Sequence, residues 1–254
     1  MKKQIMKYQI LVIGAGGTGT YFLKEFSRYL AGNSRALKKV HSLAVADGDL
    51  VEKKNLARQA FVKEDIGQKK AAVMASLLND CFDLSWNAYG KYLLKTEQID
   101  QVMNKARIFS STSYKLIPVL IGCVDNHACR LLCEDYFYSK DNCIYFDSAN
   151  EFSSGEIVYA SRIKGRTISS TRSQIFPDIK EGKLRNVEEM SCAELNAAAP
   201  QHIVVNMNAG LCLLSAVARL LEEDVLMGGV TFFDAMNMDS KHMENAFNME
   251  KAVS

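Results

Sequence analysis

Gly14-Ala-Gly16-Gly17-Thr-Gly19 lies between the apolar run Tyr8 to Ile13 and a segment in which Phe22, Leu23, Phe26, Tyr29 and Leu30 recur at helical spacing. A chain with this pattern passes from a strand, through a tight turn, into a helix running from about Thr18 to Leu30. The turn must be glycine because a Cβ atom would obstruct the close approach of strand, helix and ligand. Backbone N–H groups and the positive end of the helix dipole then converge on one point, which suits a phosphate group.

The segments that follow extend the alternation. His41 to Ala46 reads as a second strand, Gln68 to Asp80 as a helix with apolar Val73, Met74, Leu77 and Leu78, Trp86 to Leu93 as a third strand and Gln98 to Lys105 as a short helix. Leu116 to Val124 is a continuous aliphatic run ending in Asp125-Asn126, the pattern of a central parallel strand whose carboxyl end opens on a ligand crevice. Ala128 to Tyr138 reads as helix and Cys143 to Asp147 as strand. The fold class expected is therefore α/β, a doubly wound, Rossmann-like and mainly parallel sheet. Glu156 to Arg162, with a return strand near Arg166, signals antiparallel strands towards the C-terminal end. Ser169 to Met190 is polar, carries Pro177 and Gly182, and reads as a long mobile connection suited to a lid. Ala209 to Leu221 reads as a core helix and Val230 to Phe233 as a last strand, while the segment to Ser254 has no assignable pattern.

The chain has 254 residues, enough for one large globular domain with a nucleotide-binding half at 8–150 and a second half at 151–254. Its net charge of +2 does not indicate a nucleic-acid partner. The apolar stretch at the N-terminus is stopped by Gly14 and the Ala209 to Leu221 segment falls short of the roughly 20 apolar residues of a bilayer span, so a cytoplasmic protein without a membrane partner is expected. Seven cysteines without any CxxC pair point to free thiols in a reducing compartment. Cys129 and Cys133, with His127 nearby, have helical spacing, but they read as small buried hydrophobes and no structural metal is expected.

Gly14, Gly16 and Gly19 alone would satisfy a nicotinamide- or flavin-binding fingerprint, and Asp47, at the end of the second strand, would serve any ribose. Asn55, Arg58 and Lys70 add an amide and two cations suited to a triphosphate with developing charge. The ordered series Gly14-Ala-Gly-Gly-Thr-Gly19, Ala46-Asp-Gly-Asp-Leu-Val-Glu-Lys-Lys-Asn-Leu-Ala-Arg-Gln59, Asp65-Ile-Gly-Gln-Lys-Lys70 and Gly122-Cys-Val-Asp-Asn126 with Arg130 resembles the ThiF/MoeB/HesA superfamily, the adenylation fold of ubiquitin-activating enzymes and their sulfur-carrier relatives. Size and the Ser191-Cys192 segment resemble the stand-alone ThiF-related proteins of PRTRC gene cassettes.

The resemblance implies an adenylyltransferase that uses ATP and Mg²⁺ to activate the C-terminal carboxylate of a small ubiquitin-like or sulfur-carrier protein. It implies a nucleotide site of Gly14, Gly16, Gly17, Gly19, Asp47, Asp49, Asn55, Arg58, Gln59, Lys70, Asp125 and Asn126. Within it Asp47 would hold the ribose, Asn55 and Arg58 the phosphates, Lys70 the departing pyrophosphate and Asp125 the magnesium. Cys192 stands where thioester-forming members carry a cysteine, and a homodimer is implied. The family's CxxC zinc pairs are absent, no rhodanese or ubiquitin-fold domain is evident, and the N-terminus is short for the leading helix whose arginine reaches a neighbouring subunit's ATP. Two alternatives remain open at this point: a catalytically silent ATP-binding interaction module, and an NAD- or FAD-dependent oxidoreductase.

Overall fold

The structure is a computed structural model describing residues 5–105, 114–180, 201–244 and 247–248. Strand β1 (Ile5–Ile13) runs into helix α1 (Gly17–Gly32), and a short helix α2 (Ser34–Lys39) leads to β2 (Val40–Ala46). Then come α3 (Lys70–Phe82), β3 (Trp86–Tyr89), α4 (Thr96–Lys105), β4 (Tyr114–Gly122), α5 (His127–Ser139) and β5 (Cys143–Asn150). Among the described residues nine strands form one sheet, and the parallel part is ordered β3-β2-β1-β4-β5. From β1 the chain winds towards β2 and β3, then crosses to β4 and β5 on the other side. The crossing leaves a crevice at the carboxyl ends of β1 and β4, the expected place for a ligand.

Alternation along β1 divides the core. Tyr8, Ile10 and Val12 face α1, α3 and a later helix α7 (Ile203–Glu223), whereas Leu11 and Ile13 face Ile99 and Met103 of α4 and Cys133, Tyr136 and Phe137 of α5. Both faces of the sheet are covered, which is why the central strands read as continuous apolar runs. Full burial of each such Leu, Ile or Phe stabilises the fold by about 1.5–3 kcal/mol.

Beyond β5 the sheet turns antiparallel through β6 (Ser154–Ile163), β9 (Gly229–Asp234) and β10 (Asp239–Glu244), with β7 (Arg166–Ser169) beside β6. Two short strands, β8 (Val225–Leu226) and β11 (Phe247–Asn248), pair separately. The α/β class with antiparallel C-terminal strands is thus as expected from the sequence.

Several local expectations differ. Helix α2 was not anticipated: Asn33 ends α1, and its Oδ1 accepts from Ala36 N at 3.0 Å, so a side-chain cap restarts the helix after one residue. The third strand stops at Tyr89, and Lys91 to Leu93 turn onto the crevice instead of extending the sheet. The β4 strand ends at Gly122, and Cys123, inside the aliphatic run that the sequence assigns to this strand, lies half-buried on the crevice wall. The supposed mobile connection begins as structure, with helix α6 (Arg172–Ile175) and a 3₁₀ turn at Pro177–Lys180. Its remainder, with Cys192, lies outside the described residues.

Buried charge holds these residues in place. Arg172 donates through Nε to Asp147, through Nη1 to Glu156 at 2.5 Å and through Nη2 to the Asp147 carbonyl at 3.0 Å. Burial alone would lower the Arg172 pKa, but Asp147 and Glu156 outweigh it and raise it. Ser173 N donates to Glu134 at 2.8 Å. A segment that is polar by composition is here tied down by three carboxylates.

Helix α7 is longer than the sequence suggested, 21 residues, and among the described residues it is the one helix long and apolar enough to cross a membrane. It lies in the core instead, along α1, where Gly210 lets it approach the backbone of Phe22. Its first turn reaches the crevice. His202 N donates to Phe152 O at 3.1 Å, and Gln201 Nε2 to Asn150 O at 3.0 Å.

Candidate active site

A cavity of about 210 Å³ opens at the crevice. Its floor is the turn after β1. Gly14 has φ +94°, and a Cβ there would stand 2.5 Å from the Cys123 carbonyl oxygen. Gly16 caps α1 without any side-chain hydrogen bond, so the first N–H groups of a 16-residue helix are left for a ligand. Gly16 and Gly17 line the cavity, but Gly19 does not: a Cβ on it would lie 2.0 Å from the Gly14 carbonyl oxygen, so this glycine serves the packing of helix on turn.

Asp47 follows β2. Its Oδ2 accepts from Ala15 N at 2.6 Å and its Oδ1 from Asp49 N at 2.8 Å. Burial pushes this carboxyl up, Asp49 adds to the rise, and Lys70 and the two N–H groups oppose it. Each oxygen retains a lone pair for a further donor such as a ribose hydroxyl.

The stretch from Asp49 to Lys70 folds back on itself. Val51 N donates to Gln68 O at 2.8 Å, Gly67 N to Val51 O at 2.9 Å and Lys70 N to Asp49 O at 3.1 Å. This closes the loop and brings Lys70 Nζ within 2.9 Å of Asp49 Oδ2, with Lys70 only 3% exposed. Inside the loop, Asn55 is buried, its Oδ1 accepts from Glu52 N at 2.8 Å, and it does not line the cavity where the sequence reading placed it. Its main-chain carbonyl instead accepts from Arg58 N and Gln59 N, at 3.1 and 2.9 Å, and those two residues do line the cavity.

Asp125 and Asn126 form the opposite wall. Asn126 caps α5, its Oδ1 accepting from Cys129 N at 2.8 Å. Arg130, on the first turn of α5, lines the cavity and is held from behind by Asp147 Oδ1 at 3.3 Å, Val124 O at 2.6 Å and Ser148 O at 3.0 Å. Cys123 is a poor nucleophile, because burial and the charge of Asp147 push its thiol far up. His127 is lowered, first by burial and then by Arg130 and Arg172.

Of the residues expected at the site, Gly14, Gly16, Gly17, Asp47, Asp49, Arg58, Gln59, Lys70, Asp125 and Asn126 share the cavity, whereas Asn55 and Gly19 stand behind it. Cys192 is outside the described residues. Sequence reasoning missed Lys91 and Tyr92, taken for strand, and Asn150, Gln201 and Asn206, which come from the second half of the chain. Asn206 carried no sequence signal. It sits inside α7, where its Oδ1 accepts from Thr18 Oγ1 at 3.4 Å and Asn150 Nδ2 at 3.2 Å.

The donor set fits a nucleoside triphosphate. Among the described residues the side chains of Arg58 and Lys91 make no hydrogen bond or ion pair, and the buried Gln59 Oε1 and Asn150 Oδ1 have no partner. Free cations and unpaired acceptors at one cavity suit a ligand bearing both phosphates and hydroxyl or amino donors. No group of three His, Cys, Asp or Glu side chains is gathered for a metal among the described residues. Magnesium does not require one, since it commonly takes one or two carboxylates together with substrate phosphates, and Asp125 supplies a carboxylate at the cavity.

The family model described as the ThiF family matches residues 1–253. Ubiquitin-activating enzyme E1 2 of Arabidopsis thaliana is 28% identical over 152 residues, a match spanning 58% of this chain and 12% of that protein. The adenylyltransferase and sulfurtransferase uba4 of Aspergillus niger is 33% identical over 128 residues, spanning 50% of this chain and 22% of that one. The chain therefore matches only a small part of the length of these relatives. Among solved structures, E. coli MccB with ATP has a TM-score of 0.61 at 13% identity, covering 95% of this chain and 64% of that chain, a likeness of fold.

Proposed function

We propose that this chain, which belongs to the ThiF family, uses ATP to adenylate the C-terminal carboxylate of a small ubiquitin-like or sulfur-carrier protein. The observation that carries the reading is the single cavity shared by the glycine turn, Asp47, Arg58, Gln59, Lys70 and Asp125.

The reaction is a problem of charge. A carboxylate oxygen of the partner's tail bonds the α-phosphorus as the bond to the bridging oxygen of the leaving pyrophosphate breaks, and no proton is transferred. An anion thus approaches a polyanion, and the approach must be offset by cations and dipoles already in place. In this reading the N–H groups at the start of α1 hold the phosphates, and Asp47 accepts from the ribose. Arg58 and Lys91 hold the outer phosphates, and Lys70 meets the charge that develops on the leaving pyrophosphate. Asp125 is the carboxylate for Mg²⁺, which would supply further neutralisation there. Asn55 contributes by placing Arg58 and Gln59 through its carbonyl.

Gln201 and Asn150 frame the side of the cavity towards the C-terminal half, and the tail is expected to enter there. Onward transfer would have the Cys192 thiolate displace AMP, leaving the acyl group as a thioester. The protein is expected to act in the cytoplasm as a homodimer, the commonest closed assembly.

ATP–pyrophosphate exchange with candidate small proteins, followed by mass spectrometry of both partners, tests this reading. A partner gaining the mass of AMP at its C-terminus is the expected result, and a thiol-labile adduct on Cys192 is expected from the transfer step. Binding of Mg-ATP without exchange for any small protein with a free Gly-ending tail would favour a silent binding module. Stabilisation by NAD(H) and not by Mg-ATP would point to redox chemistry.

A further inference from the structure

We propose that Tyr92 is a positioning residue that acts through Asp49 to set how tightly Lys70 is held. Asp49 is shared between two elements. One oxygen pairs with Lys70 Nζ at 2.9 Å, and the other accepts from the Tyr92 hydroxyl. Tyr92 comes from the β3–α4 connection, which also carries Lys91 to the cavity, and it is 39% exposed. Its ring is seated against Gly48, where a Cβ would lie 2.6 Å from ring carbons, so the residue between the two aspartates must be glycine for this contact to exist. The segment around Gly48 is held as well: Lys69 Nζ donates to Gly48 O at 2.6 Å, and Asp47 N donates to the carbonyl of Tyr89, the last residue of β3, at 3.1 Å.

A hydroxyl donating to a carboxylate draws charge from it and lowers its hold on a neighbouring ammonium. With Tyr92 in place, Asp49 grips Lys70 less firmly, and more of the ammonium's charge is available to the cavity. Without the hydroxyl, Lys70 is tied more closely to Asp49.

Acetylation of the Lys70 amine by N-hydroxysuccinimidyl acetate, without nucleotide and at one fixed pH, followed by peptide mass spectrometry, reads that grip. Tyr92→Phe should slow acetylation of Lys70 about threefold relative to the parent, while Lys91 is unchanged. Gly48→Ala should reproduce the effect with the tyrosine still present, and Asp49→Asn should accelerate it. Unchanged or faster Lys70 acetylation in Tyr92→Phe overturns the inference, as does an Asp49→Asn variant that reacts like the parent. A merely packing role would lower the melting temperature without altering Lys70.

The catalytic consequence rests on the adenylation reading: Tyr92→Phe should lower kcat of pyrophosphate exchange about threefold with KM for ATP unchanged, the signature of a contact used in the transition state. A parent protein without exchange would sink that reading and leave the labelling result standing.

Discussion

Gly16 and Gly19 belong to one motif, yet the structure gives them different tasks, and exchanging each for alanine separates them. At Gly19 the new Cβ would stand 2.0 Å from the Gly14 carbonyl oxygen, 2.9 Å from the Gly14 carbonyl carbon and 3.3 Å from Cys123 Cβ. The obstacle is backbone and cannot rotate away, so the cost falls near the upper end of the about 1–3 kcal/mol typical of overpacking. Alanine inside a helix returns about 1 kcal/mol relative to glycine. The net loss expected for Gly19→Ala is about 2 kcal/mol, or about 4–8 °C in Tm for a chain of this size. At Gly16 the nearest atom to a new Cβ is Gln59 Nε2 at 4.0 Å, so Gly16→Ala should unfold within about 0.5 kcal/mol of the parent. Its methyl group would occupy the cavity floor. Mg-ATP at a hundredfold excess over Kd should stabilise the parent by about 2.7 kcal/mol, and Gly16→Ala should lose most of that gain. Denaturant titration and thermal melting with and without Mg-ATP provide both numbers. A Gly19→Ala protein as stable as the parent, or a Gly16→Ala protein with undiminished Mg-ATP protection, would refute the division of labour.

Arg58→Ala and Lys70→Ala should each lower the rate of adenylation by about 10²-fold or more, measured by pyrophosphate exchange; unchanged exchange in both would remove their roles. Arg172→Met leaves Asp147 and Glu156 without their shared cation, and denaturant unfolding should register a loss of about 3–5 kcal/mol. Asp47 is raised in the folded protein, mainly by burial, so the folded state binds its proton more tightly than the unfolded chain. Relative to Asp47→Asn, the parent should be most stable below the ordinary carboxylate range. It should lose stability as pH rises through the raised pKa, and a difference that grows with pH would contradict this.

The alternation of elements was legible because it follows from local rules. Apolar residues with strand and helix periods flank glycines that only a strand-turn-helix can use, so β1, α1, β2, α3, β4 and α5 were found within a few residues. Asp47, Lys70 and Asp125 could be placed at the cavity from the sequence because each follows a strand or opens a helix at the carboxyl edge of the sheet, where the winding order gathers ligands, whereas Arg58 and Gln59 stood out only by residue type and by the motif that carries the resemblance. Side-chain direction, by contrast, depends on neighbours distant along the chain. Asn55 and Gly19 carry the motif's residue types but are turned inwards by Glu52 N and the Gly14 carbonyl. Lys91 and Tyr92 looked like strand until Asp49 and Gly48 drew them onto the cavity. Asn206 reaches the turn from α7, 188 residues from Thr18, and no local pattern can announce a contact made across that distance. Local propensity thus specified the scaffold and much of the edge that lines the cavity. Long-range packing and buried charge selected which side chains line the cavity and which stand behind it.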